Sequence, residues 1–184
     1  MLKRILILVL FLLITLPTFA QNTKPEQADK ILKTSIADAK SNDKSVFVIF
    51  HATWCGWCKR LEKALNSDEL KPIFNKNFVI TEIDVEERGE DKIAQFENPG
   101  GKDIMNNLGG AHAGLPFYAF LNDKGNKIAD SNVLNGKDNI GYPGSSEEIA
   151  AFMSIVKKSA KHLTNTDTET IEKYLKDNAP KPRS

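Results

Sequence analysis

Apolar residues recur along this 184-residue chain in two rhythms, and the switching between them predicts a mixed α/β architecture. From Lys24 to Asn42, Ala28, Ile31, Leu32, Ile36 and Ala39 return every three or four positions, with Pro25 at the expected first turn. That spacing predicts an amphipathic opening helix. Val46 to Phe50 then form an unbroken β-branched and aromatic run, which predicts a buried strand at 46–51. Helical spacing resumes at Leu61, Ala64 and Leu65, and further strands are predicted at 78–84, 117–122 and 127–130. Near the C-terminus, Ser145 with Glu148 reads as a capping box opening a helix to about Lys161, and Thr166 with Glu169 as one opening a helix to about Asp177.

The first twenty residues follow neither rhythm. Lys3 and Arg4 precede an apolar run from Ile5 to Leu16, and small residues occur before the end of the segment at Thr18 and Ala20. Residues 1–20 therefore read as a secretory signal peptide, and 21–184 as one domain. The apolar run is shorter than the roughly 20 residues of a membrane span, and no cysteine follows to carry a lipid. An exported chain, periplasmic or otherwise extracytoplasmic and without a stable membrane anchor after cleavage, is the expectation. Cleavage would remove two cations and move the net charge from +1 to −1, leaving no basic excess to draw nucleic acid or anionic lipid.

Both cysteines of the chain, Cys55 and Cys58, lie in the stretch Trp54 to Lys59, where the strand hands over to the helix. With no third thiol in the chain they pair with each other or with another molecule, which suggests redox exchange. At such a junction unpaired N–H groups and the positive end of the helix dipole favour a thiolate, and can bring a cysteine pKa from about 8.5 into the range of roughly 3.5 to 7.5. Cys55 then reads as a nucleophile, with Cys58 one turn further in and able to resolve a mixed disulfide intramolecularly. Two other readings stand beside this one. A structural disulfide closing so short a loop would remove little chain entropy. A zinc half-site would need two more ligands, and His51, His112 and His162 show no finger or ribbon spacing, so no metal is expected.

The segment from Ser45 to Asp84, SVFVIFHATWCGWCKRLEKALNSDELKPIFNKNFVITEID, resembles the thioredoxin superfamily. It is similar to the exported branch that includes the C-terminal domain of bacterial thiol:disulfide interchange proteins. A second stretch, GLPFYAFLNDKGNKI from Gly114 to Ile128, resembles the family's cis-proline and following hairpin. The resemblance spans roughly residues 27–160. It implies a thioredoxin-like fold, a central mixed β-sheet flanked by helices, with an insertion before the cis-proline and an extra C-terminal helix. It also implies a monomeric thiol:disulfide oxidoreductase whose working group is the Cys55–Cys58 pair, with no other cofactor. Its partners would be thiols or disulfides of exported proteins, met at Trp54, Gly56, Trp57, Leu115 and the cis-bonded Pro116. The branch favours a reductase, which would need a membrane electron donor. An oxidase or isomerase, and a redox-inert peptide-binding module, are the alternatives.

Several positions depart from the family pattern. Ile49 stands where thioredoxins carry a buried aspartate that helps deprotonate the second cysteine, so Glu82 is a candidate substitute, against the plainer reading of a solvated carboxylate. Trp57 replaces the proline before the second cysteine. It either joins Trp54 in an exposed aromatic pair suited to docking polypeptide, or is exposed alone while Trp54 caps the sheet edge. His51 and His112 are candidates for proton transfer, with a packed strand histidine the plainer reading of His51. Lys59 either adds positive potential or solvates the helix. The stretch 86–114, rich in charge, Gly and Asn with a short helix expected near 103–108, reads as a lid close to the cysteines or as a solvated excursion.

Overall fold

The computed structural model describes residues 24–135 and 137–180. The strand β1 (Ser45–His51) is its axis, with residues 45–50 all buried, as an uninterrupted apolar run requires of a central strand. It pairs in parallel with β2 (Phe78–Asp84), from Ser45 opposite Phe78 to His51 opposite Asp84. On its other edge it pairs antiparallel with β3 (Phe117–Leu121), which in turn pairs antiparallel with β4 (Lys127–Asp130). The sheet order is β2-β1-β3-β4, and this is the central mixed sheet flanked by helices that was expected.

Alternate residues of β1 feed two apolar layers. Phe47 and Ile49 join Tyr118 and Phe120 under the helices α2 (Gly56–Leu65), α3 (Lys71–Asn77) and α6 (Ser146–Ser159). The Phe47 ring stacks on Phe120 at 4.4 Å and meets Tyr118 edge-on at 5.4 Å, two of the geometries aromatic quadrupoles favour. Val46, Val48 and Phe50 face the other way, toward Ala28 and Ala39 of α1 (Ala28–Ser41) and Met105 of α5 (Gly101–Met105). Strands 78–84 and 127–130 lie where the pattern put them.

Elsewhere tertiary contacts move the boundaries. Pro25 precedes α1 and does not sit in its first turn; the Ala28 N–H is instead drawn to Pro99 O at 3.0 Å, a bond the local sequence cannot announce. Within 86–114, the unpredicted helix α4 (Glu90–Phe96) buries none of its residues, so it carries no apolar rhythm. The helix expected near 103–108 starts earlier, as α5, and runs into a π-helical turn at Asn106–Gly110. Gly101 is needed there: a Cβ would lie 2.8 Å from both Ile83 Cγ2 and Val85 Cγ1. The short strands β5 (Asn132–Leu134) and β6 (Asp138–Asn139) pair with each other and were not expected. The last helix, α7 (Asn165–Asp177), is capped by Thr164 and Asp167 and not by Thr166 and Glu169. Both pairs fit the capping pattern, but Asp167 also meets Lys76 Nζ at 3.5 Å, and this register buries Ile171 and Leu175.

Among the described residues no helix is long and apolar enough to cross a membrane. The expected signal peptide, residues 1–20, lies outside the described residues.

Candidate active site

Leaving the sheet after His51, the chain turns through Ala52, Thr53 and Trp54 and places Cys55 at the N-cap of α2. Cys55 is extended, with φ −78° and ψ 104°, and its Sγ accepts a hydrogen bond from the Cys58 N–H at 3.1 Å. A sulfur thus does what a serine or aspartate oxygen ordinarily does at this position, and sits where the helix dipole favours negative charge. Cys58, in the first turn, is bonded to it, with the two Cα atoms 5.3 Å apart. Exposure does not distinguish the two sulfurs, since Cys55 is 3% and Cys58 6% exposed; position on the helix does. Ala52 and Leu115 pack against the pair. The Leu115–Pro116 peptide is cis, and Asn139 Nδ2 of β6 braces its loop by donating to Gly114 O at 2.7 Å and Pro116 O at 3.1 Å. Gly56 opens outward, with nothing within 4 Å of where a Cβ would stand.

Trp54 and Trp57 are both substantially exposed, at 40% and 49%, yet they are held differently. The Trp54 indole N–H donates to Glu86 O at 2.8 Å, and the Arg88 guanidinium lies 3.7 Å from its ring centre. Trp57 stacks on Tyr142 at 6.1 Å and stands between two grooves. One, of about 710 Å³, runs along α2 toward α7; the other, of about 570 Å³, runs past Leu115 toward Glu148.

A third cavity, of about 280 Å³, lies behind Cys58 and brings together Ile49, His51, Cys58, Lys59, Glu62 and Glu82. Ile49 is 3% exposed and pairs directly with Glu82 across the parallel strands, so the apolar side chain and the candidate carboxylate are register neighbours. Glu62 escaped the sequence reading, although four residues after Cys58 it shares that face of the helix. His112 is exposed on the loop after the π-helical turn and lines none of these three cavities.

Two further carboxyl groups were not anticipated. Glu87, 7% exposed, grips the residue two before Cys55: it accepts from both the Thr53 N–H and, at 2.8 Å, the Thr53 hydroxyl. Asp84, also 7% exposed, is buried near Glu87, and its Oδ1 has no hydrogen-bond partner among the described residues. Burial, then the negative charges of Glu87 and Glu97, push Asp84 up to about 7. Burial would raise Glu87 as well, but hydrogen bonds from Thr53, the Asp84 carboxyl and the Arg88 N–H outweigh it and hold Glu87 below the usual range. The one trace in the sequence is the alternation of β2, which places Asp84 on the same face as Phe78 and Ile80.

Among the described residues no group of three or more His, Cys, Asp or Glu is arranged to hold a metal ion. A family model described as thioredoxin-like matches residues 28–123, more than half of the chain. The thiol:disulfide interchange protein DsbD of Vibrio cholerae serotype O1 is 30% identical over 121 residues, a match covering 62% of this chain and 18% of that protein. The chain thus spans less than a fifth of the length of that relative. Two solved structures are also similar. A disulphide isomerase from Xylella fastidiosa Temecula1 is 17% identical with a TM-score of 0.49, the match covering 89% of this chain and 97% of that one. A DsbH oxidoreductase is 20% identical with a TM-score of 0.43, over 79% of this chain and 89% of that one.

Proposed function

Because the chain belongs to the thioredoxin-like family and joins a thiol:disulfide oxidoreductase fold to a Cys55–Cys58 pair, we propose that it exchanges disulfides with exported proteins, working as a reductase. The observation that carries the proposal is the sulfur of Cys55 at the N-cap of α2, bonded to the one other cysteine of the chain. In the reduced protein the Cys55 thiolate attacks a substrate disulfide; a mixed disulfide forms, the substrate S–S bond breaks, and the departing thiolate takes up a proton. Cys58 then gives up its proton and attacks Cys55 Sγ. The mixed disulfide breaks, the substrate leaves as a dithiol, and two electrons have passed from the cysteine pair to it. Glu82, with His51 beside it, is the proton acceptor for that second step: both line the cavity that Cys58 lines. His112, exposed and outside the lining of that cavity, is assigned no step in this scheme.

Leu115, which packs against the disulfide, and the cis-bonded Pro116 after it form one wall for the substrate chain; Trp57 faces Leu115 across the second groove, and Gly56 lines the first. The signal-peptide reading of residues 1–20 and the kind of relative matched support export, and in this scheme the oxidised protein is re-reduced by a dithiol donor in the membrane. A monomer suffices for each of these steps. The full chain should accelerate dithiothreitol-driven reduction of insulin disulfides, and undiminished acceleration by Cys55→Ser would overturn the mechanism. A redox-inert peptide-binding module is the second reading, favoured by the exposed Trp57 between two grooves. Fast alkylation of Cys55 at mildly acid pH excludes it, since an ordinary thiol reacts slowly there.

A further inference from the structure

We propose that the groove between α2 and α7 binds an acidic, extended segment of the substrate protein flanking the disulfide under exchange; the proposal rests on the exchange reading and names the substrate class that site prefers. The groove begins at Trp57, beside the cysteines, and its lining includes Lys59, Arg60 and Lys63 and the rings of Tyr142 and Tyr174. It contains three cations and no carboxylate. Glu62, the acid nearest in sequence, lines the neighbouring cavity with Glu82, which Lys59 also borders, so Arg60 and Lys63 are the two cations that belong to the groove alone.

Local structure does not account for these cations. Lys59 and Arg60 lie in the N-terminal half of α2, where the dipole disfavours positive charge, and α2 has no acid in its first turn to offset them. Lys59, Arg60 and Lys63 make no ion pair among the described residues, and although exposed lysines such as Lys71 and Lys124 are also unpaired, these three are gathered along one groove. Arg60 is nevertheless held in place. It donates to Asn178 O at 2.6 Å, beyond the end of α7, and its guanidinium lies 5.0 Å from the Tyr142 ring centre and 5.9 Å from that of Trp57. A fixed guanidinium framed by aromatic faces suits a carboxylate accompanied by apolar side chains. The far wall, Tyr174 and Asn178, comes from the C-terminal helix, outside residues 28–123. That helix thus turns a site for disulfides in general into one selective for a flanking sequence.

The test uses disulfide-bridged reporter peptides identical except for the residues flanking the cysteine, either Asp-Glu, Ser-Gln or Lys-Arg, reduced by the full chain. At about 20 mM salt the acidic peptide should show a kcat/KM about fivefold above the neutral one, and the ratio should fall toward one at about 500 mM, where exposed charges are screened. Lys63→Glu, a change at an exposed helix position, should invert the ratio, and comparing peptides within each variant cancels any effect on the thiols themselves. A ratio of one for the unaltered protein, or a ratio insensitive to Lys63→Glu, overturns the acidic-segment proposal while leaving exchange intact. Complete competition by phosphatidylglycerol vesicles against the acidic peptide also overturns it, assigning the groove to a lipid surface. Failure to reduce even the neutral peptide refutes the exchange reading itself.

Discussion

Replacing Asp84 by Asn should change the stability of this protein in a pH-dependent way whose sign is set by the buried carboxyl pair. Asp84 is raised from 3.8 to about 7, first by burial and then by the charges of Glu87 and Glu97, so the folded state holds this proton more tightly than the unfolded chain does. Below about pH 4 both states are protonated and the group costs nothing. As pH rises, the unfolded chain gives up its proton while the folded one retains it, and folding loses up to about 1.4 kcal/mol per unit until the folded group ionises as well. A window of about three units sets an upper bound of about 4 kcal/mol; relaxation and water entry at ionisation reduce this to about 2 kcal/mol. Asp84→Asn removes the penalty and keeps a donor toward Glu87. Near pH 4.5 it should be about neutral, and at pH 8 it should be more stable than the parent by about 2 kcal/mol. Glu87 does not confuse the measurement, because its pKa is lowered from 4.5 and its contribution is lost only as pH falls through that lower range. Urea unfolding of the oxidised proteins at half-unit steps from pH 4.5 to 8.5 gives the two profiles. Parallel profiles, or a variant uniformly less stable at every pH, would show that Asp84 does not hold its proton in the folded state.

Two further outcomes probe the cysteines' surroundings. Cys58→Ser should accumulate thiol-sensitive mixed disulfides with exported proteins, detectable on non-reducing gels, because attack by Cys55 proceeds and release does not; an absence of adducts where a known exchange protein yields them would favour the inert binding module. Ile49→Asp places a carboxylate at a position 3% exposed beside Cys58 and should cost about 1 to 3 kcal/mol or more while speeding turnover near neutral pH, whereas Glu82→Gln should slow turnover and leave Cys55 alkylation unchanged. Stopped-flow reduction from pH 5 to 9 checks both, and rates untouched by either change would remove proton transfer at this cavity from the mechanism.

How much was legible depended on whether the information was local. The central strand could be read to within a residue, because a strand buried on both faces must be apolar throughout, and Ser45 was missed only because its hydroxyl is satisfied at Ser159 O, 114 positions away. The α2 boundary was legible from the cysteines, since a thiol at a strand-to-helix junction is itself the capping group. α4 was not, because a helix that buries nothing leaves no periodicity. The two candidate caps of α7 were indistinguishable by pattern, and Lys76 and the core decided between them. Glu82 and Ile49 could be associated in advance because strand register is regular, whereas the grip of Glu87 on Thr53 spans 34 positions and has no local signature.

That grip also distinguishes the two sides of Cys55. On the strand side of Cys55 the chain is fixed at successive points. Thr53 is held through backbone and side chain by Glu87, Trp54 through its indole by Glu86 and Arg88, and Glu87 N–H in turn by Glu97 at 2.9 Å. A segment so tied holds the Cys55 sulfur in one place, as the proposed exchange requires of a nucleophile. On the helix side Gly56 and Trp57 stand open between two grooves, with the unpaired cations beyond them. On the exchange and groove proposals, substrates would meet a fixed sulfur from one direction and a selective surface from the other. Changes along α2 and α7 should alter which disulfides are exchanged, while changes at Glu87 should alter how fast all of them are.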